Sequence, residues 1–157
     1  GKIGQLLTDK LMTLATAESC TGGLIGHMLT QVSGSSNYFK EGFVVYSNEA
    51  KVSRLGVEQQ MLDEHGAVSE PVARLMAEGI RRVTGANIGV SVTGISGPTG
   101  GSDKKPVGLT YIAVSDSTGT WCGKYIYTHD RIKNKERTAQ TALNLVRLRL
   151  LGLLEEA

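Results

Sequence analysis

Apolar and polar positions follow one another along this chain in two rhythms, one of strands and one of helices. Residues 11–18, LMTLATAE, form a short, mostly apolar run that predicts a strand. In the next stretch, GGLIGHMLTQV, Leu24, Ile25, Met28, Leu29 and Val32 recur at helical spacing. SGSSN breaks that rhythm as a loop. GFVVYS, β-branched and aromatic, predicts a second strand. NEAKVSRLG predicts a short helix opened by Asn48 and closed by Gly56. SEPVARLMAEGIRRVTG carries fuller helix signals: Ser69 as N-cap, Pro71 in the first turn, Arg81 and Arg82 near the end, Gly85 beyond. NIGVSVTG predicts an apolar strand that runs into a long Gly/Pro-rich loop, ISGPTGGSDKKPVG. LTYIAVSD and TWCGKYIYTH read as two strands joined by STGT, in the manner of a hairpin. From about Ile132 to Leu154, Ala139, Ala142, Leu143, Val146, Leu150 and Leu153 trace a helix face.

Strands alternating with helices predict an α/β fold, here a layered α/β/α sandwich. The hairpin makes the sheet mixed rather than purely parallel. No internal repeat or linker interrupts the pattern, so residues 1–157 are expected to form one domain.

Composition narrows the picture. Hydrophobic residues make up 40% and charged residues 20%, which argues against disorder. Seventeen Lys and Arg against fifteen Asp and Glu leave a net charge of +2, too balanced to point to nucleic acid or a membrane surface. No apolar run approaches the roughly 20 residues needed to cross a bilayer. Cys20 and Cys122 fit no zinc spacing and no disulfide framework, so the expected setting is a reducing cytoplasm. The chain opens at Gly1 rather than Met, and either trimming or a tag remnant at that end is expected.

Three polar clusters fall where strands should end: ESCTGG, YSNEAK and TGISGPTGG. Ligands of open α/β sheets bind at the carboxyl ends of strands, so the shared placement is a stronger signal than any one cluster. Ser19 would lie at a strand-to-helix turn, where free backbone N–H groups can hold an oxyanion or a phosphate. It reads either as a nucleophile, with N–H groups near Thr21 to Gly23 as its oxyanion hole, or as a plain N-cap, a role Thr21 could also fill. Cys20 is a rival nucleophile or a small buried filler.

A nucleophilic serine needs a base. His27 lies within a helix pattern, His65 near a helix end, and His129 at a strand end beside Asp130 and Arg131; each also reads as an ordinary surface or packing histidine. Lys51 is the other candidate. It would sit in the first turn of a short helix, whose dipole disfavours a cation and pushes the amine toward neutrality. Tyr46, five residues earlier, would be near enough to relay a proton or hold the base. The plainer readings are a solvated lysine and a strand-end aromatic. The glycines of TGISGPTGG expose N–H groups suited to a phosphate or ribose, or simply form a surface loop; neither a P-loop nor a dinucleotide fingerprint is present. Arg131 offers a bidentate phosphate donor, or an exposed charge opening the last helix.

These same residues carry a family likeness. TAESCTGG, GSSNYFKEGFVVYSNEAKVSRLGV, HGAVSEPVARLMAEG, VTGISGPTGGSDKKPVG and the Asp-Arg before the last helix resemble the CinA carboxy-terminal domain family, in order, from about Thr13 to Leu151. Single-domain members of that family are nicotinamide-nucleotide amidases. The resemblance implies hydrolysis of the carboxamide of nicotinamide mononucleotide (NMN) to nicotinate mononucleotide and ammonia, a step in pyridine-nucleotide recycling. It implies a serine–lysine mechanism with Ser19, Tyr46 and Lys51 as the catalytic set, needing no cofactor and no metal. The expected substrate-binding residues are Glu18, Cys20, Thr21, Gly22 and Gly23 from the first cluster and Asn48 from the second. Thr93, Gly94, Gly97, Pro98 and Gly101 come from the third, and Arg131 completes the set. Two departures stand out: Ser96 replaces the alanine of TGIAGP, and His129 replaces the glycine of GDR, where it would crowd the mouth of the site. The amino-terminal domain of the longer CinA proteins has no counterpart in these residues. The resemblance also implies a homo-oligomer, a dimer or higher.

On this reading Ser19 attacks the amide carbon and Lys51 takes the hydroxyl proton and returns one to departing ammonia. Tyr46 orients Lys51 or shares that transfer. The Gly-rich loop and Arg131 hold the ribose phosphate, and Glu18 either orients Lys51 or binds ribose. Two other readings stand beside it. The pocket could bind a pyridine nucleotide, or a protein partner in a competence setting, without turnover; or the amidase could take another substrate.

Overall fold

The computed structural model describes residues 1–154. A mixed five-stranded sheet lies between two layers of helices. The order along the chain is α1 (Lys2–Lys10), β1 (Leu14–Glu18), α2 (Leu24–Thr30), a 3₁₀ turn (Ser35–Asn37), β2 (Phe39–Val44), α3 (Asn48–Leu55), α4 (Gln59–His65) and α5 (Glu70–Thr84). It continues with β3 (Ile88–Gly94), β4 (Leu109–Asp116), β5 (Gly119–Ile126) and α6 (Arg131–Leu150). In space the strands run β2-β1-β3-β4-β5. The first three are parallel; β4 and β5 add as an antiparallel hairpin.

The period-two alternation of strands decides which helix packs where. Leu14 on β1 joins Ile88, Val90 and Val92 of β3 on one face, against Leu7, Ile25, Leu29, Ala142 and Val146 of α1, α2 and α6. Ala15 and Ala17 point to the other face, against Leu55, Leu62, Val72, Met76 and Ile80 of α3, α4 and α5. Met76 and Ile80 are fully buried, and each contributes roughly 2 kcal/mol of apolar transfer. Helix α5 lies close on the sheet because position 89 is glycine: a Cβ there would collide with the Ala77 carbonyl.

Several boundaries differ from the sequence reading, each for a local reason. Strand β1 starts at Leu14 rather than Leu11, because Leu11 adopts a left-handed conformation (φ 56°) and ends α1. Neither α1 nor the short α4 was assigned as an element; α4 has only Met61 and Leu62 as apolar residues in seven. Helix α2 starts at Leu24, since Gly22 and Gly23 both have positive φ. Strand β2 stops at Val44, so Tyr46 lies beyond the strand and not at its end. Ser47, not Asn48, caps α3, its hydroxyl accepting from the Ala50 N–H.

This topology gathers the polar clusters at one edge. Glu18, the last residue of β1, pairs with Val44 on one side and Val92 on the other, so all three parallel strands end together. Because β4 is antiparallel, it begins at the same edge, and the loop from Ile95 to Gly108 stays there. Strand β5 ends beside Leu109, which brings the start of α6 to that edge too.

Candidate active site

Ser19 follows β1 and is fixed by its own backbone. Its N–H donates to the Val92 carbonyl of β3 at 3.1 Å, and its carbonyl accepts from the Gly22 N–H at 3.1 Å. Its hydroxyl is not used as a helix cap. The N-cap of α2 is Gly23, without a side-chain bond. Instead Oγ lies 3.1 Å from Nζ of Lys51, 32 residues away in sequence.

Lys51 is the unusual group. It comes from the first turn of α3, is 1% exposed, and no carboxylate pairs with it among the described residues. Burial lowers its pKa from the ordinary lysine value, opposed more weakly by Cys20 and Glu49. Its Nζ also lies 3.0 Å from the Val45 carbonyl and 3.3 Å from the Tyr46 carbonyl. A neutral amine has two hydrogens and one lone pair. Lys51 Nζ donates to both carbonyls and to Ser19 Oγ; in the neutral form two hydrogens would serve the carbonyls and the lone pair would face Oγ, which would then donate to it. That is the arrangement a general base needs.

The other predicted site residues sort into those the fold brings to this pair and those it does not. Glu18 needs correction. Its carboxylate neither orients Lys51 nor faces a sugar; it is 2% exposed and accepts from the Thr21 hydroxyl (2.6 Å), the Ile25 N–H (2.8 Å) and the Gly26 N–H (3.0 Å). It therefore caps α2 from outside the helix, where a negative group is favourable. Thr21 spends its hydroxyl proton on that carboxylate and offers substrate only its backbone. The N–H groups of Thr21 and Gly23 donate to no protein acceptor among the described residues, whereas that of Gly22 is spent on Ser19. Cys20 is 7% exposed, packs into the core, and burial pushes its thiol up to about 12. Such a thiol is protonated at neutral pH and poorly suited to be the nucleophile.

Tyr46 holds Lys51 through its carbonyl, not its phenol. The phenol is turned outward and accepts from Arg131 Nη2 at 3.1 Å. Arg131 Nη1 donates to the Gly97 carbonyl at 2.8 Å. The guanidinium thus ties the α6 start, the Gly-rich loop and the β2–α3 connection together. Asn48 is exposed in the first turn of α3. Thr93 is 1% exposed and donates to the Ala67 carbonyl, so its hydroxyl proton is not offered to a ligand. Gly94 ends β3, and Gly97, with φ 87°, packs on Val107; a Cβ at Gly101 would meet the Val107 backbone. The loop is therefore folded back on residues 105–109 rather than loose. Pro98 and Val107, with Ser96, His129, Asp130, Arg131 and Ile132, line an adjoining cleft of about 570 Å³. His129 sits in that cleft and makes no bond to Ser19 or Lys51, so it does not crowd the pair itself.

Two contributors escaped the sequence reading. The Val45 carbonyl fixes Lys51, and a backbone acceptor leaves no trace in residue type. Asn134, 2% exposed, donates to the Ser96 carbonyl and accepts from the His129 N–H, bracing the loop against α6. A polar residue on the apolar face of α6 was its available signal. His27 and His65 are exposed, bonded or paired with Gln31 and Glu64, and neither reaches Ser19. Among the described residues no group of three His, Cys, Asp or Glu side chains is placed to hold a metal ion. No helix among them is long and apolar enough to cross a membrane.

Comparison with known proteins gives a consistent picture. The model of the CinA C-terminal domain matches residues 1–150. A CinA-like protein of Syntrophus aciditrophicus is 51% identical over 94% of this chain and 35% of its own length. A putative competence-damage inducible protein of Symbiobacterium thermophilum is 50% identical over 98% of this chain and 38% of its own. The chain thus spans little more than a third of these curated relatives. Among solved structures, the competence/damage inducible protein CihA from Agrobacterium tumefaciens is 40% identical with a TM-score of 0.88, covering 98% of this chain and 96% of that one. A CinA superfamily protein from Klebsiella pneumoniae is 29% identical with a TM-score of 0.93, covering 96% and 94%.

Proposed function

The chain belongs to the CinA C-terminal domain family, and from that premise we propose that it is a serine–lysine amidase acting on nicotinamide mononucleotide. The observation that carries this reading is the 3.1 Å approach of Ser19 Oγ to a buried Lys51 whose amine is pushed toward neutrality. Lys51 takes the Ser19 proton as Oγ bonds to the amide carbon. The N–H groups of Thr21 and Gly23 are the available donors for the oxyanion, each worth on the order of 3 kcal/mol. Collapse of that adduct breaks the C–N bond, Lys51 gives its proton to the departing NH₂, and ammonia leaves. Water then hydrolyses the acyl ester with Lys51 again as base, releasing nicotinate mononucleotide and free Ser19. Both cysteines are free thiols, which supports a reducing, cytoplasmic setting.

The test is ammonia release from NMN. Wild type releases it, Ser19→Ala and Lys51→Ala lose at least about a thousandfold in kcat, and Cys20→Ala stays within about twofold. Silence in Cys20→Ala with activity in Ser19→Ala would sink the assignment. A second reading, a nucleotide-binding module without turnover, is favoured by the closure of the site: Ser19 is 8% exposed. Folded wild type that binds NMN but releases no ammonia decides for that reading.

A further inference from the structure

The far end of α6 borders a second cavity, of about 330 Å³, where the start of α1 and the end of α2 meet that helix. Arg147 lines it and lies sixteen residues beyond Arg131, roughly 24 Å along α6 from the Ser19 end of the molecule. Ile3, Met28, Leu29, Val32 and Leu143 give the cavity apolar walls. One polar group stands among them. Tyr38 is 5% exposed and its ring belongs to the core, yet its hydroxyl has no hydrogen-bond partner among the described residues. That hydroxyl lies against Gly4, where a Cβ would collide with it, and both residues line the cavity. It is not sealed off: among the described residues only Thr16 Oγ1 is a wholly enclosed side-chain polar atom without a partner. The Tyr38 hydroxyl therefore opens on the cavity.

A nearly buried hydroxyl without a partner is a donor left unanswered, and an acceptor on a ligand would answer it. The rim sets the sign of that ligand. Lys2 and Arg147 line the cavity, and no Asp or Glu does. Arg147 is half-buried, and its Nε and Nη2 donate to Asn144 Oδ1 at 3.1 and 2.9 Å. A neutral partner thus holds the guanidinium in place, with its charge uncancelled and further donors over. A placed guanidinium and a free hydroxyl suit a carboxylate, and the apolar walls suit a hydrocarbon body. We infer that this cavity binds a small amphiphilic carboxylate, its head on Tyr38 and Arg147 and its apolar body against Met28 and Leu143. The site is separate from Ser19 and Lys51 and does not depend on the amidase reading.

Calorimetric titration with octanoate tests this, with octylammonium as a probe of equal length and opposite charge. Octanoate should bind wild type one to one, and octylammonium at least about tenfold more weakly. Tyr38→Phe keeps the ring and should lose about tenfold in affinity for octanoate, as should Arg147→Gln. Lys133→Ala, an exposed cation at the other end of α6, should bind as wild type. Octanoate should also raise the melting temperature of wild type and leave that of Tyr38→Phe nearly unchanged, a comparison that holds even where the variant is less stable. No binding to folded wild type up to about 5 mM, equal binding of the two probes, or unchanged affinity in Tyr38→Phe or Arg147→Gln overturns the inference. A wild-type dimer that Leu143→Glu splits, with no octanoate bound, also overturns it and gives this face to a second copy of the chain. No arm of the experiment uses NMN, so its outcome and that of the amidase assay are independent.

Discussion

Two basic side chains at different ends of this molecule show how surroundings divide one chemistry into two uses. Lys51 sits at the carboxyl edge of the parallel strands, 1% exposed, with two carbonyls and a hydroxyl as its hydrogen-bond partners among the described residues. Arg149 sits near the end of α6 against the β4–β5 turn. Its Nε and Nη2 donate to the two oxygens of Asp116 at 2.8 and 2.9 Å, and Nη2 also reaches Thr118 and Gly119. Arg149 holds the Asp116 carboxyl well below the usual carboxylate range. A carboxylate partner fixes a charge; burial without one favours its loss. The first arrangement clamps a hairpin to a helix, and the second eases the loss of a proton from an amine that touches a hydroxyl.

Exchanging the two kinds of cation is the strongest way to break this contrast. Lys51→Arg keeps a donor-rich side chain but cannot become neutral, so turnover should fall by about a thousandfold or more while the protein stays folded. Arg149→Lys keeps the charge but loses the fork. It should cost about 1–2 kcal/mol in denaturant unfolding and leave kcat within about twofold. Steady-state rates and urea midpoints on both variants check this. If Lys51→Arg retained turnover, a neutral amine would not be the base.

A pH series sharpens the same comparison. On the proposed amidase mechanism the neutral form of Lys51 is the active one, so the rate should fall about tenfold per pH unit once pH drops below its lowered pKa. For stability the sign is set by proton binding. Lys51 has a folded pKa below 10.5, so the unfolded chain binds more protons and stability rises with pH between the lowered value and 10.5. Asp116 also has a depressed folded pKa. Its contribution is present above the unfolded value of 3.8 and is lost as pH falls below it. Activity should therefore disappear at a pH where the Asp116 clamp is still intact. Rates and melting temperatures that fell together would show acid unfolding rather than titration of the base.

The contrast was unequally visible in the sequence. Runs such as NIGVSVTG and LTYIAVSD coincide with β3 and β4, because buried strands need continuous apolar or β-branched residues. Helix α5 was equally plain, since Ser69, Pro71 and Gly85 mark both its ends. The convergence of three strand ends followed from topology rules, and so the placement of Ser19 and Lys51 at one edge could be anticipated. What stayed hidden depends on side-chain direction. Nothing in YSNEAK says that the Tyr46 phenol turns to Arg131 while its carbonyl turns to Lys51. The Asp116–Arg149 pair joins residues 33 apart, with no local pattern to reveal it.

Glu18 is the clearest case of a residue whose type pointed one way and whose partners point another, and it yields the smallest of the expected effects. Its carboxylate takes two N–H groups at the start of α2 and the Thr21 hydroxyl, so it holds the turn that presents Ser19. Glu18→Gln keeps the volume and one acceptor oxygen but turns an NH₂ toward a remaining N–H. The expected cost is about 1 kcal/mol in stability, with a decline of a few-fold in kcat as the turn loosens, roughly what the loss of one cap and a mispaired donor implies. Urea unfolding beside steady-state kinetics on NMN measures both. A loss of turnover as large as that of Lys51→Arg, with stability unchanged, would move Glu18 from the scaffold into the chemistry. A fall in stability with only a small change in rate keeps it where its hydrogen bonds put it, as the anchor of the nucleophile turn.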